Sequence, residues 1–434
     1  MDGDCDNIVV KGLPRISRKS PYSDEVIIVG AGIVGICCGL SLLESGVAVT
    51  MIDRDIPGQA TSSGNAGVVS PWSNVPQCMP GLWKNVPKWL LDPNGPVRIR
   101  PRDAYKVLPW ALRFLANSNM QMAENTSDAM AALNASNIDL YRHHLRGTGS
   151  ESLIQDSFYI HVFRDAAKIN LKAPAWRIRA RHGTPMKVIS REELLELEPS
   201  LSRAYQGAII IKDQARLTLP AQLGAVLAEK FEAQGGKIVR ATAKAINTNE
   251  SRTWNIETSA GPYRAQKLVL TAGAWSSKLL EPLGIKFPLQ VERGYCITFK
   301  HPGVSLNNSI MEADRFFICS SMQNGIRSAG TSEFTDLDTP PNYRRAQNLI
   351  QLTKDLLPDL NINDVVEGMG NRPSFPDNLP CIGEISALPG LLAAFGHSHW
   401  GMSMAPQTGR IIADLTVGKA PNIDISPYRA DRFL

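Results

Sequence analysis

The stretch Glu25-Val-Ile-Ile-Val-Gly-Ala-Gly-Ile-Val-Gly-Ile-Cys-Cys-Gly39 constrains the rest of the chain more than any other. Four β-formers at 26–29 run into Gly30, Gly32 and Gly35 and then into a helical pattern. That order predicts a buried strand, a tight turn and a helix start. In such a turn the first glycine lets the chain reverse and the second lets backbone approach a pyrophosphate, while the third lets helix and strand pack closely. The helix start at Ile33 and Val34 adds unpaired N–H groups and partial positive charge. A second strand at 47–52 ends in Asp53, 23 residues after Gly30, with Arg54 next. An acid at that spacing is placed to accept hydrogen bonds from an adenosine ribose. Strand, spacing and acid together predict a dinucleotide site on a Rossmann-type βαβ unit.

At 434 residues the chain has room for about two or three domains. A charged fraction of 20% and a hydrophobic fraction of 43% are those of a globular protein. The net charge of +5, with no long Lys/Arg run, gives no sign of a nucleic-acid partner. Seven cysteines form no CxxC, which predicts reduced thiols and a cytoplasmic setting. HExxH is absent and His397-x-His399 has no acid close by in sequence, so no metal is expected. Residues 1–22 are polar, with Lys11, Arg15, Arg18 and Lys19 but no apolar core. They read as a disordered extension rather than a secretory signal. No stretch approaches the ~18 uninterrupted apolar residues of a spanning helix.

After Asp53, the run Gly58-Gln-Ala-Thr-Ser-Ser-Gly-Asn-Ala-Gly67-Val-Val-Ser-Pro71 is too rich in small polar residues for a core element. It predicts a loop with exposed N–H groups. One reading is a surface linker; the other, favoured by its place directly after the acid, is a second wrap around an extended cofactor. Residues 72–110 are Pro-rich and hold four of the eight tryptophans, Trp72, Trp83, Trp89 and Trp110. Packing at a domain junction and a peripheral membrane or partner-docking surface both account for them.

Residues 120–146 read as helix and 157–164 as a strand, and Ser190-x-x-Glu193 is a capping box. A strand at 208–211, a helix at 219–234 closed by Gly235-Gly236, and a strand at 237–240 read as the nucleotide-binding sheet resumed. Lys267-Leu-Val-Leu-Thr-Ala-Gly-Ala-Trp-Ser276 is a short strand entering a small-residue turn, where open α/β sheets hold ligands. Alternation over 286–335, with turns at Gly294 and Asn324-Gly325, predicts a mostly antiparallel sheet, and a helix follows at 343–356. Two further clusters of small residues close the chain, 370–383 and 396–409, the second leading into a helix at 410–415. A Gly-rich turn opening a helix presents N–H groups at a positive dipole end.

Taken together these motifs resemble the D-amino-acid oxidase superfamily of FAD enzymes, and most closely its bacterial D-amino-acid dehydrogenase branch (small-subunit type). The resemblance covers about 24–420. It rests on Gly30-x-Gly32-x-x-Gly35 with Asp53, on Ser62-Ser63-x-Asn65-x-Gly67, on Glu198-Pro199-x-Leu201 and on Ala272-Gly273-Ala274-Trp275-Ser276. It continues with Gly370-x-Arg372-Pro373-x-x-Pro376-Asp377-x-x-Pro380-x-x-Gly383, Gly396-His397-x-His399-x-Gly401 and Ala405-Pro406-x-Thr408-Gly409.

The resemblance implies an α/β fold: a Rossmann-type FAD-binding domain assembled from discontinuous segments, with an antiparallel-sheet α+β substrate domain. The expected division is 23–90, 200–285 and 366–434 for the FAD part, and 91–199 and 286–365 for the substrate part. Gly30, Gly32, Ile33, Val34, Gly35, Asp53 and Arg54 would hold pyrophosphate and ribose, and Ser62, Ser63, Asn65, Ala66, Gly67 and Val68 would reach pyrophosphate and flavin. Ala243 would meet adenine, while Ala272, Gly273, Trp275 and Gly370 would line the cofactor. Trp400, Gly401, Met402 and Ser403 would border the flavin ring. FAD is expected without a covalent link. Arg372 matches the position whose guanidinium clamps the substrate carboxylate in relatives, a role suited to a planar, permanently charged fork. His399 either contacts substrate or caps its turn, and Tyr295 either offers a hydroxyl to the pocket or sits in the core. Relatives often carry an aromatic where Gly368 stands, which predicts a wider pocket floor here.

The implied reaction moves a hydride from Cα of a D-amino acid to flavin N5, giving an imino acid that water hydrolyses. Cyclic substrates such as D-proline or D-hydroxyproline belong to this branch. The implied partners are an amino acid and a quinone or other acceptor, with peripheral contact at the inner face of the cytoplasmic membrane, or a hetero-oligomer, left open. An oxidase using O₂ and a non-catalytic FAD-binding electron-transfer subunit stand as alternatives.

Overall fold

The computed structural model describes residues 23–84, 86–92, 95–249 and 251–434; the expected extension over 1–22 lies outside the described residues. Two sheets organise them. In the first, the Ser23–Val29 strand pairs in parallel with Val49–Asp53 on one side and Gly261–Leu270 on the other. Lys237–Arg240 and Leu391–Phe395 extend this core in parallel, and Cys381–Glu384 closes one edge antiparallel. A parallel sheet covered on both faces needs apolar residues at consecutive positions. Val26, Ile27 and Ile28 meet that need and are fully buried.

One face of this sheet carries the helices Ile33–Glu44, Pro220–Ala233 and Gly401–Thr416, packed through Leu40, Phe231 and Ile411. The other face packs on Trp254, Phe287, Phe375 and Phe395. The helices Met120–Asn134 and Asn137–Leu145, which the sequence placed with the substrate part, join the first face through Met130, Leu133, Tyr141 and Leu145. Their apolar stripe marks them as scaffold without saying which sheet they cover.

The second sheet has ten strands, and six of them follow in order across it: Val365–Ser374, Gln290–Phe299, Gly325–Phe334, Phe317–Met322, Ser309–Glu312 and Ile154–Phe163. Gly207–Leu217 and Val68–Val69 complete that path. Most neighbours are antiparallel, as the alternation predicted, but Ser309–Glu312 runs parallel to Ile154–Phe163. One face is sealed by the helix Arg344–Leu356 over Ile297 and Phe299. Two strands change sides relative to the expected division. Gly207–Leu217 and Val365–Ser374 belong to this second sheet, so the first sheet resumes only at Lys237. Strand periodicity reports burial and is silent on which sheet does the burying.

Two local readings are corrected and one helix is added. Gly294 lies inside the Gln290–Phe299 strand, paired with Gly370, and is not a turn. The Pro-rich stretch ends inside a helix, Ala104–Ala116, that carries Pro109. The last helix begins at Gly401, not near 410, because glycine and proline there mask a helical run. Pro406 lacks the N–H that would bond Met402 O four residues back. The Tyr141 hydroxyl fills that vacancy, donating to Met402 O at 2.6 Å from a fully buried position.

Tyr141→Phe therefore leaves a buried carbonyl without a donor and should cost about 1–3 kcal/mol in urea unfolding. Adding Pro406→Ala, which restores an N–H, should recover part of that loss; equal stability of the single variant and the parent would refute this account.

Candidate active site

Between the sheets runs a cavity of about 1120 Å³. At one end the Gly30–Gly35 turn meets it. Gly30 has φ +114°, and a Cβ there would meet Thr271 O at 2.5 Å; on Gly35 it would meet Gly30 O at 1.9 Å. Both are glycine for the sake of the fold. Gly32 is different. Its backbone is extended (φ −69°, ψ 175°), open to any residue, and a Cβ there would find nothing nearer than Ser62 Oγ at 3.6 Å. No protein atom demands glycine at 32, so the free space above it fits a group that must approach backbone, as a pyrophosphate does.

Asp53 closes this end. Its Oδ2 accepts from Ala31 N–H at 2.5 Å and its Oδ1 from Asp55 N–H at 2.8 Å, each oxygen keeping a further lone pair. Arg54 stacks over Trp275, 4.3 Å from the ring centroid, and Ala243, Ala272 and Gly273 complete the wall. Ser62 Oγ accepts from Ile33 N–H at 3.1 Å, meeting one of the helix's orphan donors. Asn65 Oδ1 accepts from Gly67 N–H, an Asx turn. From the second sheet, Arg327 Nη1 donates to Ser63 O and Asn65 O, pinning this loop across the sheet face. Ala66 and Val68 face the cavity, whereas Gly35, Ser63 and Gly67 stand behind its wall. Ser63 Oγ bonds Gln59 O and Ala60 O, and Gly67 packs on Leu217 O.

The far side of the loop is the Val365–Ser374 strand. Thr61 Oγ1 donates to Asn371 O, and a Cβ on Gly370 would meet Thr61 Cγ2 at 2.9 Å. Arg372 reaches from this strand across Gly294, where a Cβ would lie 2.1 Å from its Nη2. The guanidinium donates to Thr331 O at 3.3 Å and stands 3.6 Å from Glu292 Oε1. Gly368 offers no widened floor, because the Cys296 thiol occupies that space, 2.6 Å from where a Cβ would sit.

Glu292, which the sequence reading did not single out, is the hub. It is 1% exposed. Its Oε1 accepts from Ser332 Oγ and meets His399 Nε2, both at 2.5 Å, and its Oε2 accepts from Ser374 Oγ at 2.8 Å. Burial opposes the charge on Glu292, yet His399, Arg372 and the Ser332 hydroxyl outweigh it and hold the carboxyl well below its usual range. Burial and Arg372 lower the His399 pKa, against the pull of Glu292, so the ring is neutral at neutral pH. Its Nε2 also lies 2.8 Å from Gln77 Nε2, so this nitrogen either donates to Glu292 or accepts from Gln77. His397 is engaged with Thr408 Oγ1 and burial lowers its pKa to about 3. Trp400, Gly401, Met402 and Ser403 line the cavity at the start of the last helix.

Tyr295 sits in the cavity wall, but its hydroxyl donates to Glu333 Oε2 at 2.7 Å and accepts from Asn342 N–H at 2.9 Å. Both sides of that hydroxyl are engaged within the fold. Trp110 and Trp89 also line the cavity, Trp110 stacking on Phe114 and donating to Ser374 O. Outside the cavity, Glu44, His143 and His144 place ligand atoms within 4.8 Å of one another, a cluster the sequence reading did not notice. Lys230 Nζ, bonded to His144 O and Arg146 O, adds a cation beside it. The six described cysteines are all free and buried.

The chain matches the family described as FAD dependent oxidoreductase (DAO) over residues 25–415. It belongs to that family. A D-amino-acid oxidase of Bradyrhizobium diazoefficiens is 34% identical over 95% of this chain and 100% of its own. A D-amino acid dehydrogenase of the same organism is 29% identical over 94% and 99%. Among solved structures, the glycine oxidase from Geobacillus kaustophilus superposes with a TM-score of 0.72 at 22% identity, covering 95% of this chain and 100% of that one. The L-proline dehydrogenase from P. horikoshii gives 0.72 at 19% identity, covering 95% and 98%. These two establish the shared fold. FAD is the family's cofactor, and the open space over Gly32 fits it.

Glu292→Gln keeps the side-chain shape but removes the charge that Arg372 and His399 face. Breaking a buried pair in this way should lower unfolding free energy by about 3–5 kcal/mol, and Arg372→Met in the same chain should restore part of it. Wild-type stability in the single variant would rule out the hub role.

Proposed function

We propose that this DAO-family member oxidises the α-carbon–nitrogen bond of amino acids, with D-amino acids as its substrate class and a non-oxygen acceptor for the electrons. The observation that carries the reading is Arg372, a guanidinium on the cavity wall beside the Gly396–Gly401 turn, with Glu292 at 3.6 Å as its one counter-charge among the described residues. The names of the curated relatives support the same class. FAD, when bound, supplies the acceptor for the hydride that leaves Cα.

The chain's own residues do the rest. Gly32, Ile33, Ser62 and Asp53 would hold the pyrophosphate and ribose, and Ala243 and Trp275 would hold the adenine end. Arg372 grips the substrate carboxylate and fixes Cα, which removes much of the entropic barrier. Glu292 keeps Arg372 and His399 in place. When Nε2 of His399 donates to Glu292, Nδ1 is left as the acceptor on the ring. Both histidines of the 396–401 turn are engaged, with Thr408 and Glu292, which supports FAD held without a covalent bond.

The acceptor side has its own support. The helix Ala104–Ala116 lines the cavity with Val107, Trp110 and Phe114, and turns Tyr105, Leu108 and Leu112 outward, each more than half exposed. An amphipathic helix with its apolar stripe in water fits a lipid surface carrying a quinone, or a partner subunit. No described helix is long and apolar enough to cross a membrane. The oxidase alternative is favoured by the relative of 34% identity.

Anaerobic addition of a D-amino-acid panel, with D-proline and both hydroxyproline epimers included, should bleach the flavin; no bleaching by any member would leave only a non-catalytic FAD subunit. Arg372→Lys should raise KM by about 10²-fold with a smaller change in kcat. Peroxide release under air, rather than dye or quinone reduction, would identify an oxidase. Co-sedimentation with anionic vesicles should be lost in Leu108→Ser/Leu112→Ser, and absence of wild-type binding would exclude the lipid surface.

A further inference from the structure

The cavity has a second polar end that the reading above leaves without a task. Tyr159 and His161 alternate on the Ile154–Phe163 strand and so share its inner face. The helix Pro174–Arg181 lays Trp176 and Arg179 against them. The rings form a ladder, with Tyr159 to His161 at 4.7 Å and His161 to Trp176 at 4.9 Å, and the Arg179 guanidinium lies 4.9 Å from the Trp176 ring. Apolar neighbours Trp89, Phe316 and Ile318 surround this end.

What sets the cluster apart is its lack of partners. Arg179 Nε and His161 Nε2 are buried without any hydrogen bond. Among the described residues, the Arg179 guanidinium makes neither an ion pair nor a hydrogen bond, and the Tyr159 phenol is its electrostatic neighbour. Burial lowers the Arg179 pKa only to about 10, so it stays charged at neutral pH. Burial keeps His161 neutral, with Arg179 adding to the effect, and keeps the Tyr159 phenol protonated. Three donor groups thus face one space with no anion among them. The guanidinium keeps part of its surface open to the cavity and has no counter-charge, so a ligand anion there would pair with it.

We propose that Tyr159, His161 and Arg179 form a second anion subsite, which receives a side-chain carboxylate of the substrate and makes acidic amino acids the preferred class. This rests on the reading that amino acids are oxidised in this cavity. The spacing fits. The Arg372 guanidinium lies against Thr331 on the Gly325–Phe334 strand, and the Ile154–Phe163 strand is three strands further along. Three spacings are roughly 14 Å. Each guanidinium–carboxylate pair takes up about 4 Å of that span, leaving roughly 6 Å between the two carboxyl carbons. A glutamate-length or slightly longer substrate matches, which favours acidic over cyclic members of the class.

The test compares D-glutamate with its neutral isostere D-glutamine on the FAD-loaded full chain. KM for D-glutamate should be lower by about tenfold or more. Arg179→Met should erase that difference by raising KM for D-glutamate far more than for D-glutamine, and Arg179→Lys should retain part of it. Independently of turnover, glutarate should perturb the flavin absorbance at lower concentration than butyrate, and Arg179→Met should remove the gap. Equal KM values in the parent, or a preference surviving Arg179→Met, would overturn the subsite. If no amino acid bleaches the flavin, the oxidation reading fails, and the glutarate–butyrate comparison still decides the subsite by itself.

Discussion

The buried carboxylate of Glu292 is the interaction on which the rest of the site depends. It stands on the second sheet, yet His399 comes from the turn that opens the last helix over the first sheet. A single side chain therefore joins the two halves of the molecule at the place where chemistry is proposed. The desolvation of that carboxylate is severe, and only the joint presence of an imidazole, a guanidinium and two hydroxyls offsets it.

The turn at the end proposed for the nucleotide was legible in the sequence because backbone geometry dictates residue type there. Gly30 and Gly35 are required by steric contact, Gly32 by an absence of it, and the three read as one motif with Asp53. The reacting end was only half legible. Arg372 stood out through the glycines and prolines around it. Glu292 did not, because a carboxylate inside an apolar strand announces itself only by being out of place. The sign was there in Glu292-Arg293, two adjacent charges that face opposite sides of one strand and are both buried, Arg293 bonding Asn371, Thr339 and Pro340. Arg327 and Arg179 carried no local mark at all. Their roles depend on which strand or helix lies opposite, and that is a property of topology.

The division into two parts was legible in outline and misplaced in detail for the same reason. The sequence marked 208–211 as a strand, the start of Gly207–Leu217, and the apolar stripe over 120–146 as helical scaffold. Assigning either to a sheet needs long-range pairing, which no window of sequence contains. Glu198 shows the opposite case. Its motif resembled the family's, and its carboxylate does hold a loop of the second sheet, through the N–H groups of Asn307 and Asn308.

The packing of Arg372 over Gly294 has a consequence for how this site is able to vary. The two positions share one volume: the guanidinium fills the space that a Cβ at 294 would need. A lineage that exchanged Arg372 for a short residue would release position 294 to carry a side chain, and one that filled 294 first would have to expel the arginine. A side chain at 294 and an arginine at 372 in this pose exclude each other. In this chain glycine at 294 is thus what lets a strand-borne guanidinium lie flat across its neighbour.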